Sequence, residues 1–307
     1  MLRTHRFTVV VTVVGTPEFL EPQVRLLLRW CDDDLDILIV NDARRRPGPS
    51  NGWKPRADRA VAHTADQLGI PCLRYPQWRH WSLRRRGSLD QSSIRTVESV
   101  SFDFRAAYRW LLQRKDDSEQ PSIRTGDAVQ FGFRAACRLY PTQPVVILDA
   151  DMFPFKRFSF SDMLGSAALA GVGQQRGHIQ YLWNGLLMFD VARLPELNTI
   201  DFSPGLVEGE ATDTGGKLYY YLEHHSSLAI GHLNHLKSGR WGRADMPDGL
   251  PGPLGNFIDR DPYNECGKFF SEIYEGCLFH LRSGGNWQGS RGFEERAALF
   301  LEAIRQI

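Results

Sequence analysis

The chain has 307 residues, of which 42% are hydrophobic and 24% are charged. A chain of this length and composition can bury a full hydrophobic core, which excludes a disordered or low-complexity protein. Its formal net charge is +1, which gives no overall attraction to nucleic acid, so we expect no nucleic-acid partner.

The sequence also bears on location. It has no apolar span of about 18 residues, and its first residues have no signal-peptide cleavage pattern. We therefore expect no transmembrane segment and a cytoplasmic location, either free or peripheral at the inner face of a membrane. The five cysteines form no C-x-x-C pair, so we expect reduced thiols rather than disulfides or a zinc cluster.

The first element is an apolar strand. Residues 7–14 are almost all apolar and β-branched, which predicts a strand buried on both faces in the middle of a parallel sheet. Gly15 and Pro17 then break the strand, and apolar residues at helical spacing predict a helix that ends near Trp30.

The same order of elements then repeats. Residues 35–40 form a second apolar strand that ends at Asp42, residues 57–68 have helical spacing, and residues 69–75 predict a third strand. Strands that alternate with helices indicate right-handed parallel crossovers. We therefore predict an α/β fold, with a Rossmann-like, doubly wound and mostly parallel sheet that has helices on both faces.

The middle of the chain is less regular. Residues 76–101 have no clear periodicity and predict a surface insertion. A later helix is predicted to open at Gly126 and Asp127, and Pro141 closes it just before a strongly apolar strand.

That strand, residues 145–148, stops abruptly at Asp149, Ala150 and Asp151. Because side chains alternate along an extended backbone, Asp149 and Asp151 point to the same side and can face one hard cation. Ligands of open α/β sheets bind outside the carboxyl ends of the strands, so the position agrees with the chemistry. An isolated Asp-x-Asp also occurs as a solvated strand end, and the interpretation depends on what accompanies it.

One accompanying segment is Trp183, Asn184 and Gly185, directly before an apolar run. A tryptophan and an asparagine offer stacking and hydrogen bonding to a ligand, and a glycine permits close approach of a ligand to the backbone. Packing in the core is the alternative for Trp183.

A second segment is the acidic, glycine-rich loop of residues 208–216, which contains Glu210 and Asp213 and precedes a predicted helix. A carboxylate here could act as a base. An aspartate at the start of a helix is also an ordinary cap, and this alternative stays open.

A third segment begins with His280, which ends a short apolar strand and is followed by Gly284, Gly285 and Asn286. The N–H groups of such glycines can approach phosphate oxygens. Four further histidines fit no zinc spacing and are interpreted as surface or packed side chains: His224, His225, His232 and His235.

The Asp149-Ala150-Asp151 motif and these three segments resemble the GT-A glycosyltransferases, enzymes that use nucleotide-sugar donors. The resemblance extends over most of residues 7–290 through short motifs. It implies that Asp149, Asp151 and His280 hold a divalent cation, Mn²⁺ or Mg²⁺, against the donor diphosphate. It also implies donor contacts from a larger set: Val13, Gly15, Asp42, Asp127, Ala150, Trp183, Asn184, Gly185, Gly284, Gly285 and Asn286.

The resemblance further implies a single domain of residues 1–307. Residues 1–160 would form the nucleotide-sugar half, and residues 161–307 would form the acceptor half with the segment that closes the active site. The partners would be a nucleotide-diphosphate sugar and a saccharide or glycan acceptor. Inverting members carry a base near the acceptor, which implies that Asp213 is this base and that Glu210 is the second candidate.

Other functions stay open at this point. Asn184 and Gly185 are adjacent, unlike the spaced form in glycogenin-like enzymes, which leaves the subfamily open. A retaining glycosyltransferase of glycogenin-like type is the alternative to an inverting one. A sugar-nucleotide nucleotidyltransferase would need a glycine-rich basic loop directly after the first strand, where this chain has Gly15, Thr16 and Pro17. A lectin-like or scaffolding protein would not need all three side chains of the metal site.

Overall fold

The computed structural model describes residues 5–43, 57–75, 121–282 and 292–307. Its centre is a seven-stranded sheet. In spatial order the strands are Ile230–His232 (β10), Leu169–Arg176 (β6), Ile179–Phe189 (β7), Val145–Asp149 (β4), Arg6–Val13 (β1), Asp34–Asn41 (β2) and Cys72–Arg74 (β3). Neighbouring strands run parallel except where β7 lies antiparallel between β4 and β6. This mixed, mostly parallel sheet confirms the predicted fold class.

Helices cover both faces of the sheet. Those of the described residues are Leu20–Trp30 (α1), Ala57–Gln67 (α2), Pro121–Leu139 (α3), Phe160–Leu164 (α4), Leu218–His224 (α5), Gly252–Arg260 (α6) and Phe293–Ile304 (α7). Val9 and Val11 of β1 pack with α1 and α2 on one face, whereas Val10 packs with α3 on the other. The first strand is therefore apolar at almost every position because both of its faces are buried.

Helix α3 begins at Pro121, so the prediction that it opens at Gly126 and Asp127 is wrong. Gly126 lies inside this helix, and the backbone of a later loop crosses the helix closely at this position. A Cβ atom at this position would lie 2.7 Å from the Phe202 carbonyl oxygen. The glycine thus serves packing rather than helix initiation. None of the helices in the described ranges, α3 included, is both long and apolar enough to cross a bilayer.

A second, smaller sheet pairs strands from residues 235–280 with a strand that directly follows Asp151. Its four antiparallel strands are His235–Leu236 (β11), Glu272–Tyr274 (β12), Leu278–His280 (β13) and Met152–Pro154 (β5). Strand β5 begins directly after Asp151, and an aromatic cluster that includes Phe153, Phe279 and Phe300 packs behind it. A separate hairpin is formed by Gly205–Val207 (β8) and Glu210–Thr212 (β9).

Residue Arg296 of α7 fixes the backbone just after β13. Its guanidinium is buried, pairs with Asp261 at 2.8 Å, and donates to the carbonyl oxygens of Leu281 and Arg282. Both charged side chains are 1% exposed, so the pair is shielded from water. Arg296 therefore connects the last helix to the chain that follows His280.

We expect Arg296→Met to lower the free energy of unfolding by about 3–5 kcal/mol, because the buried charge of Asp261 would lose its cation. Urea denaturation measures this loss. Arg305→Met, at an exposed position beyond the same helix, is the matched control and should change stability by about 0.5 kcal/mol or less. Adding Asp261→Leu to Arg296→Met should recover part of the loss. Equal stability of Arg296→Met and Arg305→Met would contradict this account.

Candidate active site

The Asp-x-Asp motif forms the turn between β4 and β5. Gln23 of α1 is fully buried beneath it, and its side-chain amide donates to the carbonyl oxygens of Asp149 at 2.7 Å and Met152 at 2.8 Å. These two bonds hold the backbone on both sides of Asp151. Sequence reasoning missed Gln23 because a polar residue in an amphipathic helix gives no signal of this role.

Pairing of β13 with β5 brings His280 to the motif. His280 lies opposite Met152 in the register, and the Leu281 N–H donates to the Asp151 carbonyl oxygen at 2.9 Å. The His280 Nε2 atom is 3.3 Å from Asp151 Oδ1. One ligand atom from each of Asp149, Asp151 and His280 can be chosen so that all three lie within 4.8 Å of one another. The structure thus brings together the three side chains that were predicted to hold a cation.

A third carboxylate, Glu272 of β12, orients His280 from behind. Its Oε2 atom lies 3.0 Å from His280 Nδ1 and accepts the Tyr274 hydroxyl at 2.7 Å. Its other oxygen accepts the Ser238 N–H at 3.2 Å. No motif points to Glu272, because it lies in a strand of only three residues. Such a partner fixes the imidazole with Nε2 turned towards the motif.

The charges of this cluster are strongly coupled. Burial and the neighbouring Asp151 charge raise the pKa of Asp149 to about 7. Burial disfavours the His280 cation, but Asp151 and Glu272 outweigh burial and raise its pKa to about 10. Burial would raise the pKa of Glu272 too, but the bond with His280 outweighs burial and lowers it to about 2. The cluster carries excess negative charge, which a divalent cation would balance.

We expect the metal-free protein to lose stability as the pH rises. The pKa of His280 is about 10 against 6.5 in its ordinary state, so its contribution is complete below pH 6.5 and disappears as the pH rises through about 10. Melting temperatures in EDTA across this range measure the loss. His280→Gln should have a flatter profile. Parallel profiles for the two proteins would show that His280 does not carry this dependence.

A cleft of about 360 Å³ opens in front of the motif. Asp149, Ala150 and Asp151 form one part of its wall, and His280 lies beside them. Most of the remaining lining residues are polar or charged: Thr12, Thr125, Gln174, Gln175, Arg176, Asp213, His235, Lys237, Glu272 and Arg282. Three of these, Arg176, Lys237 and Arg282, are cations that suit an anionic ligand.

Several predicted donor contacts lie behind this wall rather than in it. The Val13 side chain packs in the core, and its neighbours Thr12 and Val14 line the cleft, because side chains alternate along β1. Asp42 is fully buried, and its N–H donates to the Val13 carbonyl oxygen at 2.9 Å. Gly15 is buried as well. Neither Asp42 nor Gly15 is among the described residues that line the cleft.

The predicted donor contact at Asp127 has a similar outcome. Asp127 is buried within α3 and is not among the described lining residues, whereas Thr125 of the same helix is. Three further predicted contacts, Gly284, Gly285 and Asn286, lie outside the described residues.

Strand β7 bulges beside the motif. Leu187 pairs with Gly171 and Leu182 with Gly173, so residues 183–186 lie opposite the single residue Val172. The bulge carries Trp183 into the cleft wall, where its ring stacks on Tyr274 at 5.4 Å. Trp183 is thus a cleft residue as well as a packed one.

The close neighbour of Gly185 in the structure is a side chain of the protein itself. A Cβ atom on Gly185 would lie 2.1 Å from the Trp183 ring, so the indole already fills the space above this glycine. Asn184 is buried and packs against Gly215, where an added Cβ atom would lie 3.4 Å from the Asn184 Cβ atom. The glycine allows the bulge to fold back on itself.

Asp213 lies in the cleft wall directly after β9 and is exposed. Its Oδ1 accepts the Thr214 N–H at 2.8 Å. Helix α5 begins only at Leu218 and has Lys217 at its N-cap, so the interpretation of Asp213 as the cap of this helix is wrong. Asp213 also adds to the negative field that raises the pKa of Asp149.

Glu210, the second candidate base, lies in β9. Its Oε1 atom is 3.5 Å from His178 Nδ1 at the β6–β7 turn. Glu210 is not one of the described residues that line the cleft. Of the two carboxylates, only Asp213 therefore faces the space in front of the motif.

We expect Glu272→Gln to weaken Mn²⁺ binding by roughly 10- to 100-fold, because the His280 imidazole would lose the charge that orients it. Calorimetric titration with Mn²⁺ measures the affinity. Glu265→Gln, an exposed position ahead of the same strand, is the control and should bind as wild type does. An unchanged affinity in Glu272→Gln would remove Glu272 from the support of the site.

Comparisons with known proteins include distant structural matches. No family model matches the chain, and no curated protein matches it in sequence. Among solved structures it is similar to the mannosyltransferase PcManGT from Pyrobaculum calidifontis, in complex with GDP-Man and Mn²⁺, at 12% identity and a TM-score of 0.39. That match covers 75% of this chain and 55% of the mannosyltransferase, so the chain spans little more than half of that protein.

Two further solved structures are glycosyltransferases by name. The galactosyltransferase LgtC, in complex with donor and acceptor sugar analogs, matches at 12% identity and a TM-score of 0.33 over 95% of both chains. Mouse xyloside xylosyltransferase 1 in its apo form matches at 11% identity and a TM-score of 0.29, over 61% of this chain and 67% of that one. At such low similarity, a function has to be assigned from the geometry of the site itself.

Proposed function

We propose that the protein is a metal-dependent glycosyltransferase, which moves a sugar from a nucleotide-diphosphate sugar to an acceptor hydroxyl. The observation that carries this proposal is the convergence of Asp149, Asp151 and His280, whose ligand atoms lie within 4.8 Å at the carboxyl end of β4. Two carboxylates and an imidazole suit Mn²⁺ or Mg²⁺, and the excess negative charge of the cluster favours a divalent cation.

The cleft supports a diphosphate ligand. A cation bound at the motif would supply Lewis-acid stabilisation of the departing diphosphate. Arg176, Lys237 and Arg282 line the same space and would neutralise the remaining phosphate charge. Arg282 is held in place by a bond to the Ser238 hydroxyl at 2.5 Å and lies 4.7 Å from the centre of the Phe270 ring.

Asp213 is the proposed general base. It is an exposed carboxylate in the wall of the same cleft, and its Oδ1 is oriented by the Thr214 N–H. It would take the proton of the acceptor hydroxyl as that oxygen attacks the anomeric carbon from the face opposite the diphosphate. The enzyme would then invert the configuration of the sugar. In this proposal residues 1–160 hold mainly the donor and residues 161–307 hold mainly the acceptor.

The turn after β1 favours this function over a nucleotidyltransferase. Gly15 and Thr16 lead straight into a single 3₁₀ turn, Pro17–Phe19, and then into α1. This short connection has no lysine or arginine to cradle a triphosphate.

A donor panel tests the proposal. Purified protein is incubated with Mn²⁺, a mixture of saccharides as acceptors and a series of nucleotide-diphosphate sugars that differ in base and sugar. Where no saccharide serves, water takes the sugar slowly. The release of nucleoside diphosphate is measured with and without EDTA. We expect release from a subset of donors that share one base, and no release in EDTA. Formation of pyrophosphate from a sugar 1-phosphate and a nucleoside triphosphate, or release that EDTA does not affect, would contradict the proposal.

A further inference from the structure

A second group of possible metal ligands lies at the other end of α5 from Asp213. The two histidines that end this helix, His224 and His225, meet Glu196 from the loop after β7. The Glu196 Oε2 atom is 3.9 Å from His224 Nε2 and 3.6 Å from His225 Nε2. One atom from each of the three side chains lies within 4.8 Å of the others. The histidines are adjacent and Glu196 is far away in sequence, so no spacing pattern reveals the group.

His225 is the unusual member of this group. Its side chain is only 14% exposed, and its Nε2 atom is shielded from water. Within the described residues this atom has no hydrogen-bond partner, since the Glu196 oxygen is too distant for one. A buried, unpaired ring nitrogen is costly to a fold. Its orientation towards Glu196 and His224 indicates a ligand between the three side chains.

The spacing fits a small tetrahedral ion. Bonds of about 2.0–2.2 Å from Zn²⁺ to nitrogen and oxygen place neighbouring ligand atoms about 3.3–3.5 Å apart. The two observed separations, 3.6 and 3.9 Å, reach this value with movements of a few tenths of an ångström. His224 and Glu196 are 71% and 56% exposed, so both side chains are free to make such an adjustment.

The group is already held together without an ion. The Tyr221 hydroxyl of α5 donates to the Pro195 carbonyl oxygen at 2.8 Å, next to Glu196. The Tyr221 ring also packs on His225, with 4.6 Å between ring centres. The backbone of Glu196 has the left-handed values φ 46° and ψ 46°, and the next residues form a 3₁₀ turn. The helix and the loop are therefore fixed in place beside each other.

We propose that Glu196, His224 and His225 form a second metal site, which takes a Zn²⁺-class transition metal. Two imidazoles and one carboxylate are ligands that Zn²⁺, Ni²⁺ and Co²⁺ prefer, whereas the oxygen-rich set of Asp149 and Asp151 suits Mn²⁺ or Mg²⁺. The three side chains leave a fourth position for water. The bound ion would connect the end of α5 to the loop after β7, and this site does not depend on the proposed glycosyl transfer.

Titration with Co²⁺ tests the proposal. The experiment uses protein without an affinity tag and with Asp151→Asn, so that binding at the Asp149 motif is weakened. Tetrahedral Co²⁺ has strong visible absorption, which reports the geometry as well as the affinity. We expect one Co²⁺ per chain with this absorption, and competition by Zn²⁺.

Three added substitutions locate the ion. Glu196→Gln and His224→Ala, both at exposed positions, should each weaken Co²⁺ binding by about tenfold or more and remove the tetrahedral absorption. Glu223→Gln, the neighbouring exposed carboxylate on α5, should leave both unchanged. Circular dichroism and melting without metal check that all three proteins fold. Co²⁺ absorption that is absent from the start, or that survives both Glu196→Gln and His224→Ala, would overturn the site.

Discussion

Asp151→Asn is expected to lower donor turnover on the order of 10³-fold or more. Asp151 is buried, faces His280 and is one of the two carboxylates that the described part of the chain brings to the proposed cation site. A neutral amide is a poorer ligand for a hard cation than a carboxylate. Loss of several kcal/mol of charge stabilisation at the departing diphosphate corresponds to this fall in rate. Turnover and Mn²⁺ affinity are measured on the same preparation.

One control and one further ligand variant separate chemistry from folding. Asp162→Asn makes the same change at an exposed position of α4, and it should leave turnover and melting temperature unchanged. His280→Ala should show the defect of Asp151→Asn in milder form, because water can replace a nitrogen ligand. An Asp151→Asn protein that turns over donor as wild type does would show that the metal assignment is wrong.

Asp213→Asn is expected to lower turnover by about 10²- to 10⁴-fold, the typical effect of removing a general base. Donor affinity and melting temperature should stay close to wild type. Asp213 is exposed, and an asparagine oxygen can still accept the Thr214 N–H that Asp213 accepts at 2.8 Å. The combination of a large kinetic defect with unchanged stability distinguishes a base from a structural residue.

Glu210→Gln is the matched control for this substitution, because Glu210 lies three positions earlier but outside the described cleft wall. We expect it to be fully active. The anomeric configuration of the product, determined by NMR, gives an independent test, and inversion is expected. A fully active Asp213→Asn enzyme would exclude Asp213 as the base, and retention of configuration would exclude the inverting mechanism whatever either variant did.

The positions of the side chains in the proposed cation site could be predicted in part, because two of them depend on a local pattern. An apolar strand that ends in two carboxylates specifies where Asp149 and Asp151 point, since alternation along a strand needs no tertiary information. His280 could be recognised as the end of a short apolar strand. The sequence did not show that β13 pairs with β5, the contact that brings His280 to within 3.3 Å of Asp151.

The supporting side chains could not be predicted. Gln23 donates to the carbonyl oxygen of Asp149, 126 positions later in the chain. Glu272 contacts His280 across two short paired strands. Neither residue lies in a recognisable motif. The same holds for Glu196, which meets His225 only because a loop after β7 returns to the end of α5. Such contacts depend on how the chain packs rather than on local periodicity.

Two glycines show a limit of what a sequence can indicate. The sequence predicts a helix start at Gly126 and a donor contact at Gly185. In the structure Gly126 lies beneath a crossing backbone, and Gly185 lies beneath the Trp183 ring. A glycine in a sequence indicates that something approaches closely, but the sequence alone does not show whether that neighbour is a ligand or the protein itself.

Calorimetric binding of nucleoside diphosphates tests the central claim most directly. The wild-type protein is titrated with diphosphates of different bases, once with Mn²⁺ and once with EDTA. We predict that at least one nucleoside diphosphate binds in Mn²⁺ and that its binding is lost in EDTA, because Asp149, Asp151 and His280 would hold the cation that the diphosphate contacts. Binding of equal strength in EDTA, or no binding of any nucleoside diphosphate in Mn²⁺, would contradict a metal-dependent nucleotide-sugar site.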